Sequence, residues 1–161
     1  MKILCLTGTN PYSFSRLVSF VDQVLGPKHQ VVIQLGNTEY EPIYSECFDF
    51  LEKSKVESFI SEADIVITQG GYGSMTDVLN RGKMLIAAPR LMGLGESKDD
   101  QTELVDFYAK KNYLLPCYDI ENLEDLVNKL ADGKVKLTAF KSETGCKINS
   151  LIEDYLNSLN L

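Results

Sequence analysis

Residues 64–79 read DIVITQGGYGSMTDVL, and this stretch decides the fold. Asp64–Thr68 (DIVIT) is predicted to be a strand, and it leads directly into the glycine-rich segment Gln69–Ser74. A short helix is predicted from Ser74 to Asn80, with Ser74 as its N-cap, because a serine side chain satisfies free N–H groups at a helix start. The stretch therefore predicts a strand, a glycine-rich turn and a helix in immediate succession.

The same alternation continues on both sides of this segment. Apolar strands that alternate with helices indicate parallel β-α-β units, with helices on both faces of the sheet. We therefore predict a Rossmann-like α/β fold in a single domain of residues 1–161, a length that suits one core. The further strands are predicted at Lys2–Thr7, Gln30–Leu35, Glu46–Phe50, Lys83–Ala88 and Tyr113–Cys117, and the further helices at Phe14–Leu25, Leu51–Ala63, Asp99–Lys111, Glu121–Leu130 and Ile148–Leu159.

Three polar or glycine-rich segments leave the predicted strands at their carboxyl ends, where parallel sheets bind ligands. They are Gly8–Pro11, Gln69–Ser74 and the mobile-looking Arg90–Gln101. The glycines at 70, 71 and 73 bring the backbone close to a ligand where a Cβ would clash. Since N–H groups at a helix start hold phosphate without side-chain charge, a diphosphate is the natural occupant. A tight turn without a ligand is the alternative.

Three polar side chains near these loops have two interpretations each. Asp77 lies three residues beyond Ser74, and it is either a capping-box acid bonded to the Ser74 N–H or a carboxylate that binds a ribose diol. Asp100 and Gln101 together offer acceptors and a donor that suit sugar hydroxyls. Alternatively, Asp99 or Asp100 only caps the following helix.

Composition and charge exclude several classes of protein. The chain of 161 residues is 44% hydrophobic and 24% charged, which is typical of a globular protein. Its net charge of −7 argues against a nucleic acid partner, because such binding needs Lys and Arg to neutralise phosphates. No signal peptide and no membrane-spanning run is recognised, so a cytoplasmic protein is expected.

The metal-binding and redox residues form no pattern. Cys5, Cys47, Cys117 and Cys146 are scattered, and His29 is the single histidine. We expect reduced thiols, without a zinc site or a disulfide scaffold. His29 precedes the second strand, at the end of the sheet opposite the expected site, and is interpreted as a surface residue.

The motifs resemble a known family over nearly the whole chain. QGGYGSMTD (69–77), GKMLIAAPR (82–90) and DDQTEL (99–104) are similar, in this order, to motifs of the C-terminal, donor-binding domain of family-28 UDP-sugar transferases. The segments at 6–22, 31–42 and 114–127 extend the likeness. The chain resembles still more closely the small catalytic subunit of split transferases of eukaryotic N-glycan assembly and of bacterial capsule and exopolysaccharide synthesis.

This resemblance implies the C-terminal half of a GT-B glycosyltransferase, and it implies a role for each motif residue. Gly70, Gly71, Gly73 and Ser74 would hold the diphosphate of a UDP-sugar. Asp77 would bind the ribose, and Asp100 with Gln101 the donor sugar. Gly8, Thr9 and Asn10 would face the interdomain cleft, and Arg90 would flank the uracil pocket. Gln69 stands where the family usually has His, Asp77 where it has Glu, and Asp100 where many relatives have His.

Inverting transfer also needs a general base, and none is evident near the glycine-rich loop. The resemblance implies a membrane-anchored partner that supplies the other wall of the cleft and a lipid-linked acceptor, and that recruits the chain to the cytoplasmic face of the membrane. Catalysis would then rest on stabilisation of the departing UDP by Ser74, Gln69 and the loop amides, without a metal. The helix Ile148–Leu159 either docks on that partner or packs on the chain's own sheet.

Two other functions remain open from the sequence. GGYGSMTD also resembles the GGYGTxxE loop of nucleoside-monophosphate phosphoribohydrolases of the lysine-decarboxylase-like family. That family needs a second glycine-rich stretch and an Arg-containing motif, whereas residues 30–62 contain only Gly36 and no Arg. The other possibility is a non-catalytic UDP-sugar-binding subunit, which the departures at Gln69 and Asp77 motivate.

Overall fold

A computed structural model of the chain describes residues 1–141. Its six strands form one parallel sheet in the order β3-β2-β1-β4-β5-β6, which confirms the predicted fold class. The strands are β1 Lys2–Leu6, β2 Gln30–Gln34, β3 Glu46–Phe48, β4 Ile65–Gln69, β5 Met84–Ala88 and β6 Leu115–Pro116. The predicted helix Ile148–Leu159 and Cys146 lie outside the described residues.

Helices cover both faces of the sheet. They are α1 Ser15–Phe20, α2 Lys53–Glu62, α3 Tyr72–Leu79, α4 Thr102–Lys110 and α5 Leu123–Ala131, with a π-helical turn at Val21–Leu25 and 3₁₀ turns at Met92–Leu94 and Ile120–Asn122. Alternate residues of β1 point to opposite faces, so Ile3 and Cys5 pack with α1 and α5, whereas Leu4 and Leu6 pack with α2, α3 and α4.

The order of the strands reverses at β1. β1 pairs with β2 on one side and with β4 on the other, and Leu6 lies opposite Thr68 in the register. The carboxyl ends of β1 and β4 are therefore neighbours, although about sixty residues separate them in sequence. This is the topological switch point of an open α/β sheet, where a crevice forms outside the strand ends.

The first helix differs from its predicted form. One helix was expected over Phe14–Leu25, but the α-helix ends at Phe20 and continues as the π-helical turn, in which the Gly26 N–H donates to Val21 O at 3.0 Å. This wider turn carries Asp22, which is completely buried.

The carboxylate of Asp22 fastens the segment before β3. It accepts hydrogen bonds from Tyr40 Oη at 2.9 Å and from the backbone N–H groups of Ile43 at 2.8 Å, Tyr44 at 3.0 Å and Ser45 at 2.9 Å. Burial alone would raise the pKa of Asp22, but these hydrogen bonds outweigh it and hold the pKa below its ordinary value. Sequence patterns did not reveal this contact, because it joins positions about twenty residues apart.

The predicted N-cap of α3 is wrong, and the alternative in which an aspartate caps α4 is excluded. α3 begins at Tyr72 and its N-cap is Gly71, so Ser74 lies within the first turn instead of before it. The extended backbone of Gly71 already supplies the first helical acceptor, because the Met75 N–H donates to Gly71 O at 3.1 Å. Likewise α4 begins at Thr102 after Gln101, and neither Asp99 nor Asp100 caps it.

Candidate functional site

A cleft of about 450 Å³ opens at the switch point. Residues that follow β1 and β4 line it, as the topology requires, together with one residue that precedes α4. The cleft brings together most of the residues that the sequence singled out: Gly8, Thr9, Asn10, Gln69, Gly73, Ser74, Asp77 and Gln101. Gly70, Gly71, Arg90 and Asp100 lie outside its lining.

The glycines of the second loop have different roles. A Cβ on Gly70 would meet Val105 Cγ2 at 2.7 Å, and one on Gly71 would meet Gln69 Nε2 at 2.3 Å, so both glycines allow neighbouring side chains to approach the backbone closely. Gly73 differs, since a Cβ there has no heavy atom within 4 Å, and Gly73 lines the cleft. None of the three has a positive φ. The loop therefore exposes N–H groups of the first turn of α3 that have no partner within the helix.

The first loop adjoins the second through Gly8. Its φ of +76° is accessible mainly to glycine, and a Cβ there would meet Gln69 Nε2 at 2.6 Å. The Gly8 N–H donates to Gln34 Oε1 at 3.1 Å, and Thr7 Oγ1 donates to Gln34 O at 3.0 Å. These bonds fix the loop after β1 on the end of β2. The buried amide of Gln34 is a site residue that the sequence analysis missed.

Asp77 lines the cleft one turn beyond the loop. In the described part of the chain its carboxylate accepts no hydrogen bond from the Ser74 N–H, and its backbone carbonyl accepts one from Arg81 Nη1 at 2.8 Å. The capping-box interpretation required Ser74 to be the N-cap, and Gly71 has that position. The geometry therefore leaves the carboxylate of Asp77 available to a ligand.

Arg90 was expected to flank a uracil pocket, but the structure buries it beneath the loops, with 1% of its surface exposed. Its guanidinium lies 4.5 Å from the centre of the Phe14 ring. It donates to the backbone carbonyls of Thr7 at 2.9 Å, Tyr12 at 2.9 Å, Ser13 at 3.2 Å and Glu96 at 3.0 Å. Burial lowers its pKa to about 10, and nearby Glu96 opposes this effect, so it remains charged at neutral pH. Arg90 organises the loops instead of facing a ligand.

The segment before α4, expected to be mobile, is fastened to α1. Glu96 is buried, and its carboxylate accepts from Arg16 Nε at 2.9 Å and Arg16 Nη2 at 3.0 Å, as well as from the Leu91 N–H at 3.0 Å. Asp100 is exposed, and its Oδ1 accepts from the Met92 N–H at 2.6 Å. The ion pair between Arg16 and Glu96 was not foreseen, because residues eighty positions apart leave no local sequence pattern.

A wall that the sequence did not predict completes the cleft. Phe50 and Leu51 follow β3, are 51% and 37% exposed, and line the side of the cleft formed by the start of α2. Lys53, Val56 and Ile60 of α2 also line it. Their position directly after a strand is the signal that could have identified them, since every strand of a parallel sheet points its carboxyl end to the same edge.

Other parts of the molecule are less suited to a site. A groove of about 580 Å³ lies among residues that include Met84, Tyr113 and Phe140, and Met84 is at the amino end of β5. His29 precedes β2, so it also lies at the amino edge, as predicted. Partial burial, the N-terminal amino group and Lys28 lower the pKa of His29. Neither feature faces the carboxyl ends of the strands.

The fold and the cleft define a class of protein. A parallel Rossmann-like sheet with a glycine-rich loop at its switch point is the arrangement of the C-terminal half of GT-B glycosyltransferases. In agreement, residues 2–155 match the Glycosyltransferase family 28 C-terminal domain, and the chain belongs to this family. This membership does not favour the phosphoribohydrolase alternative.

Known proteins similar to the chain are larger. The UDP-N-acetylglucosamine--N-acetylmuramyl-(pentapeptide) pyrophosphoryl-undecaprenol N-acetylglucosamine transferase of Streptococcus gordonii is 25% identical over 126 residues, which are 75% of this chain and 35% of that protein. Acinetobacter baumannii MurG has a TM-score of 0.54 at 20% identity, over 81% of this chain and 41% of that one. The glycotransferase of kitacinnamycin has a TM-score of 0.64 at 18% identity, over 81% and 35%. The chain thus spans about a third of the length of such relatives.

No helix among residues 1–141 is long and apolar enough to cross a membrane.

Proposed function

We propose that the chain is the donor-binding, catalytic part of an inverting glycosyltransferase that moves a sugar from a UDP-sugar to a lipid-linked acceptor. The observation that carries this proposal is the cleft at the switch point. There the N–H groups of a helix start, an available carboxylate and an apolar wall converge on one space. Family membership supports the transferase class.

Each part of the cleft suits one part of a UDP-sugar. The first turn of α3 at Gly73 and Ser74 offers N–H groups and the positive end of a helix dipole to the diphosphate. Asp77, about one turn further, is an acceptor for the ribose hydroxyls. Phe50 and Leu51 offer an apolar surface for the base, a role that replaces the one expected for Arg90.

The reaction needs no covalent chemistry from this chain. The leaving group is UDP, and donors aimed at its diphosphate stabilise the negative charge that develops as the glycosidic bond breaks. Ser74, Gln69 and the loop amides would fill this role without a metal. Asp77 is the one carboxylate among the described residues that line the cleft, and it is assigned to the ribose. The general base that takes the acceptor proton would therefore come from elsewhere.

The acceptor is proposed to be lipid-linked and to arrive with a membrane-anchored partner. The relative from Streptococcus gordonii is named for an undecaprenol-linked acceptor, which supports the first part. The second part is supported by the resemblance of the motifs to the small catalytic subunit of split transferases, in which a membrane-anchored partner provides acceptor binding. The partner would supply the opposite wall of the cleft, and would recruit this acidic chain to the cytoplasmic face of the membrane.

Binding of nucleotides to the purified chain tests the proposal. UDP should raise the melting temperature in a thermal-shift assay, whereas AMP and NAD should not. Equal shifts for all three would refute the donor site. Adding a UDP-sugar, the partner and a lipid-linked acceptor should then give transfer of the sugar with release of UDP. Binding without transfer, even with the partner, would support the non-catalytic alternative, and release of free nucleobase from a nucleoside monophosphate would support the hydrolase.

A further inference from the structure

Two side-chain amides and one backbone amide form a chain beneath the cleft. The Arg90 N–H donates to Gln101 Oε1 at 3.1 Å, and Gln101 Nε2 donates to Gln69 Oε1 at 2.5 Å. The first bond sets the direction of the chain, because a backbone N–H is always a donor and must face an oxygen. The NH₂ group of Gln101 therefore faces Gln69, and Gln69 must present its oxygen in return.

The free end of this chain is the NH₂ group of Gln69. The side chain is 7% exposed and belongs to the lining of the cleft. Its Nε2 lies against Gly8 and Gly71, at 2.6 Å and 2.3 Å from the positions that a Cβ would take, so only glycine permits this placement. Ser74 Oγ lies beside the same position on Gly8, at 3.5 Å.

The two ends of the Gln69 amide differ in their hydrogen bonding. Among residues 1–141 no atom accepts a hydrogen bond from Gln69 Nε2, whereas Gln69 Oε1 is occupied by Gln101. Nε2 is not enclosed by the protein, so it reaches the cleft, where a ligand oxygen can accept a hydrogen bond from it in place of water. An anionic oxygen is the best acceptor for it, because hydrogen bonds to charged groups are about twice as strong as neutral ones.

We propose that Gln101 is a positioning residue that holds the carboxamide of Gln69 with its NH₂ group toward the cleft, where it donates to a diphosphate oxygen of the nucleotide. This inference rests on the proposed function. It assigns to Gln101 an indirect role, since its oxygen and its nitrogen are already bonded to Arg90 and Gln69. The diphosphate is then bound by a neutral dipole of fixed direction instead of a cation.

Gln101→Glu tests the direction of the chain. The introduced carboxylate still accepts from the Arg90 N–H, but it has no donor for Gln69. The amide of Gln69 must then turn its NH₂ group to the carboxylate and its oxygen to the cleft. The variant keeps the same number of internal hydrogen bonds, but Gln69 now presents its oxygen to the diphosphate instead of its NH₂ group. Gln101→Met is the matched control, because it removes both bonds and leaves Gln69 free to adopt either orientation.

The measurement is the dissociation constant of UDP and of uridine for the full chain, by titration calorimetry. We expect Gln101→Glu to raise the dissociation constant of UDP by about tenfold or more, which is the scale of a lost hydrogen bond to a charged group. Uridine, which has no phosphate, should bind all variants within about twofold of the wild-type value, since only the anionic contact is lost. Gln101→Met should raise the dissociation constant of UDP less than Gln101→Glu does. A purely structural role for Gln101 predicts the opposite order, because only Met breaks the bonds.

A double-mutant cycle separates the negative charge introduced by Gln101→Glu from its effect on the orientation of Gln69. In a Gln69→Met background there is no amide to reverse, so the Gln101→Glu effect on UDP should largely disappear. An equal loss in both backgrounds would overturn the proposal in favour of plain charge repulsion. If the wild-type chain binds UDP and Gln101→Glu binds it equally well, the positioning role of Gln101 is refuted while the proposed function stands. A wild-type chain that binds neither UDP nor uridine would overturn the proposed function and this inference together.

Discussion

The substitution Gly73→Val separates ligand binding from folding more cleanly than any other change in the loop. A Cβ at Gly73 meets no atom within 4 Å, and the φ of this residue is outside the left-handed region. The position lies inside the first turn of α3, where replacing glycine costs nothing in backbone entropy. We therefore expect the free energy of unfolding to change by less than about 1 kcal/mol.

Gly73→Val should change the affinity for UDP more than it changes the free energy of unfolding. The valine methyl groups project into open space that belongs to the cleft, next to the N–H groups proposed to hold the diphosphate. Losing one or two hydrogen bonds to a charged group costs about 1.5–3 kcal/mol each, so the affinity for UDP should fall by at least about tenfold. The cause is occupation of the phosphate space, since the backbone of Gly73 is not strained.

Calorimetric titration with UDP and thermal unfolding of the same variant test this reasoning. Thr76→Val is a matched control on α3, because Thr76 is outside the lining of the cleft and its Oγ1 bonds only to backbone carbonyls of Tyr72 and Gly73. Gly70→Ala is the opposite control, since its Cβ would meet Val105 Cγ2 at 2.7 Å and should destabilise the fold. Normal UDP binding by folded Gly73→Val would refute a phosphate site at this loop.

Four more predictions concern two single carboxylates, the buried arginine and the partner. Asp77→Asn should weaken UDP by about 1–3 kcal/mol with an unchanged melting temperature, and a lower melting temperature with unchanged affinity would contradict the ribose role. Because folding holds the pKa of Asp22 below its ordinary value, the Asp22 carboxylate stabilises the fold above about pH 4. This stabilisation is lost as the pH falls through the pKa that Asp22 has in the folded state. Asp22→Asn should lower the free energy of unfolding by about 2 kcal/mol or more at neutral pH, and should unfold with a weaker dependence on acid than the wild type. Arg90→Met should destabilise by about 3 kcal/mol or more in denaturant titrations, because it strands four backbone carbonyls; a loss below about 1 kcal/mol would contradict the role of Arg90. The chain alone should not transfer sugar to a lipid-linked acceptor, and transfer without a partner would refute the split-enzyme proposal.

The sequence predicted the sheet well because its signals are local. A central strand of a parallel sheet is buried on both faces, and β4 shows this in three consecutive apolar residues, Ile65–Ile67, within a strand whose five residues are all buried. The weaker edge strands were overestimated. The predicted strand Tyr113–Cys117 is reduced to Leu115–Pro116, where Pro116 has no N–H to donate to a neighbour.

The candidate site was predicted where it depends on chain order and missed where it depends on contacts. Gly8, Gln69 and Ser74 each follow a strand, so the topology alone brought them to one edge. The position of Arg90 after β5 was equally visible, but burial of its side chain follows from carbonyl groups on the distant loop after β1 and on the segment before α4. The residue type did not predict this burial, since arginine is seldom completely buried without charged or polar partners.

Arg90 also explains why the three loops form one site. Its guanidinium joins the loop after β1, through Thr7 and Tyr12, to the segment before α4, through Glu96. Its own N–H begins the amide chain that ends at Gln69, on the loop after β4. Arg90, which follows β5, thus connects the loop after β1 to Gln69, the group proposed to face the leaving diphosphate. Since catalysis by fixed dipoles requires that they be oriented before the charge develops, the rigidity that Arg90 provides is part of the chemistry even though the residue faces no ligand.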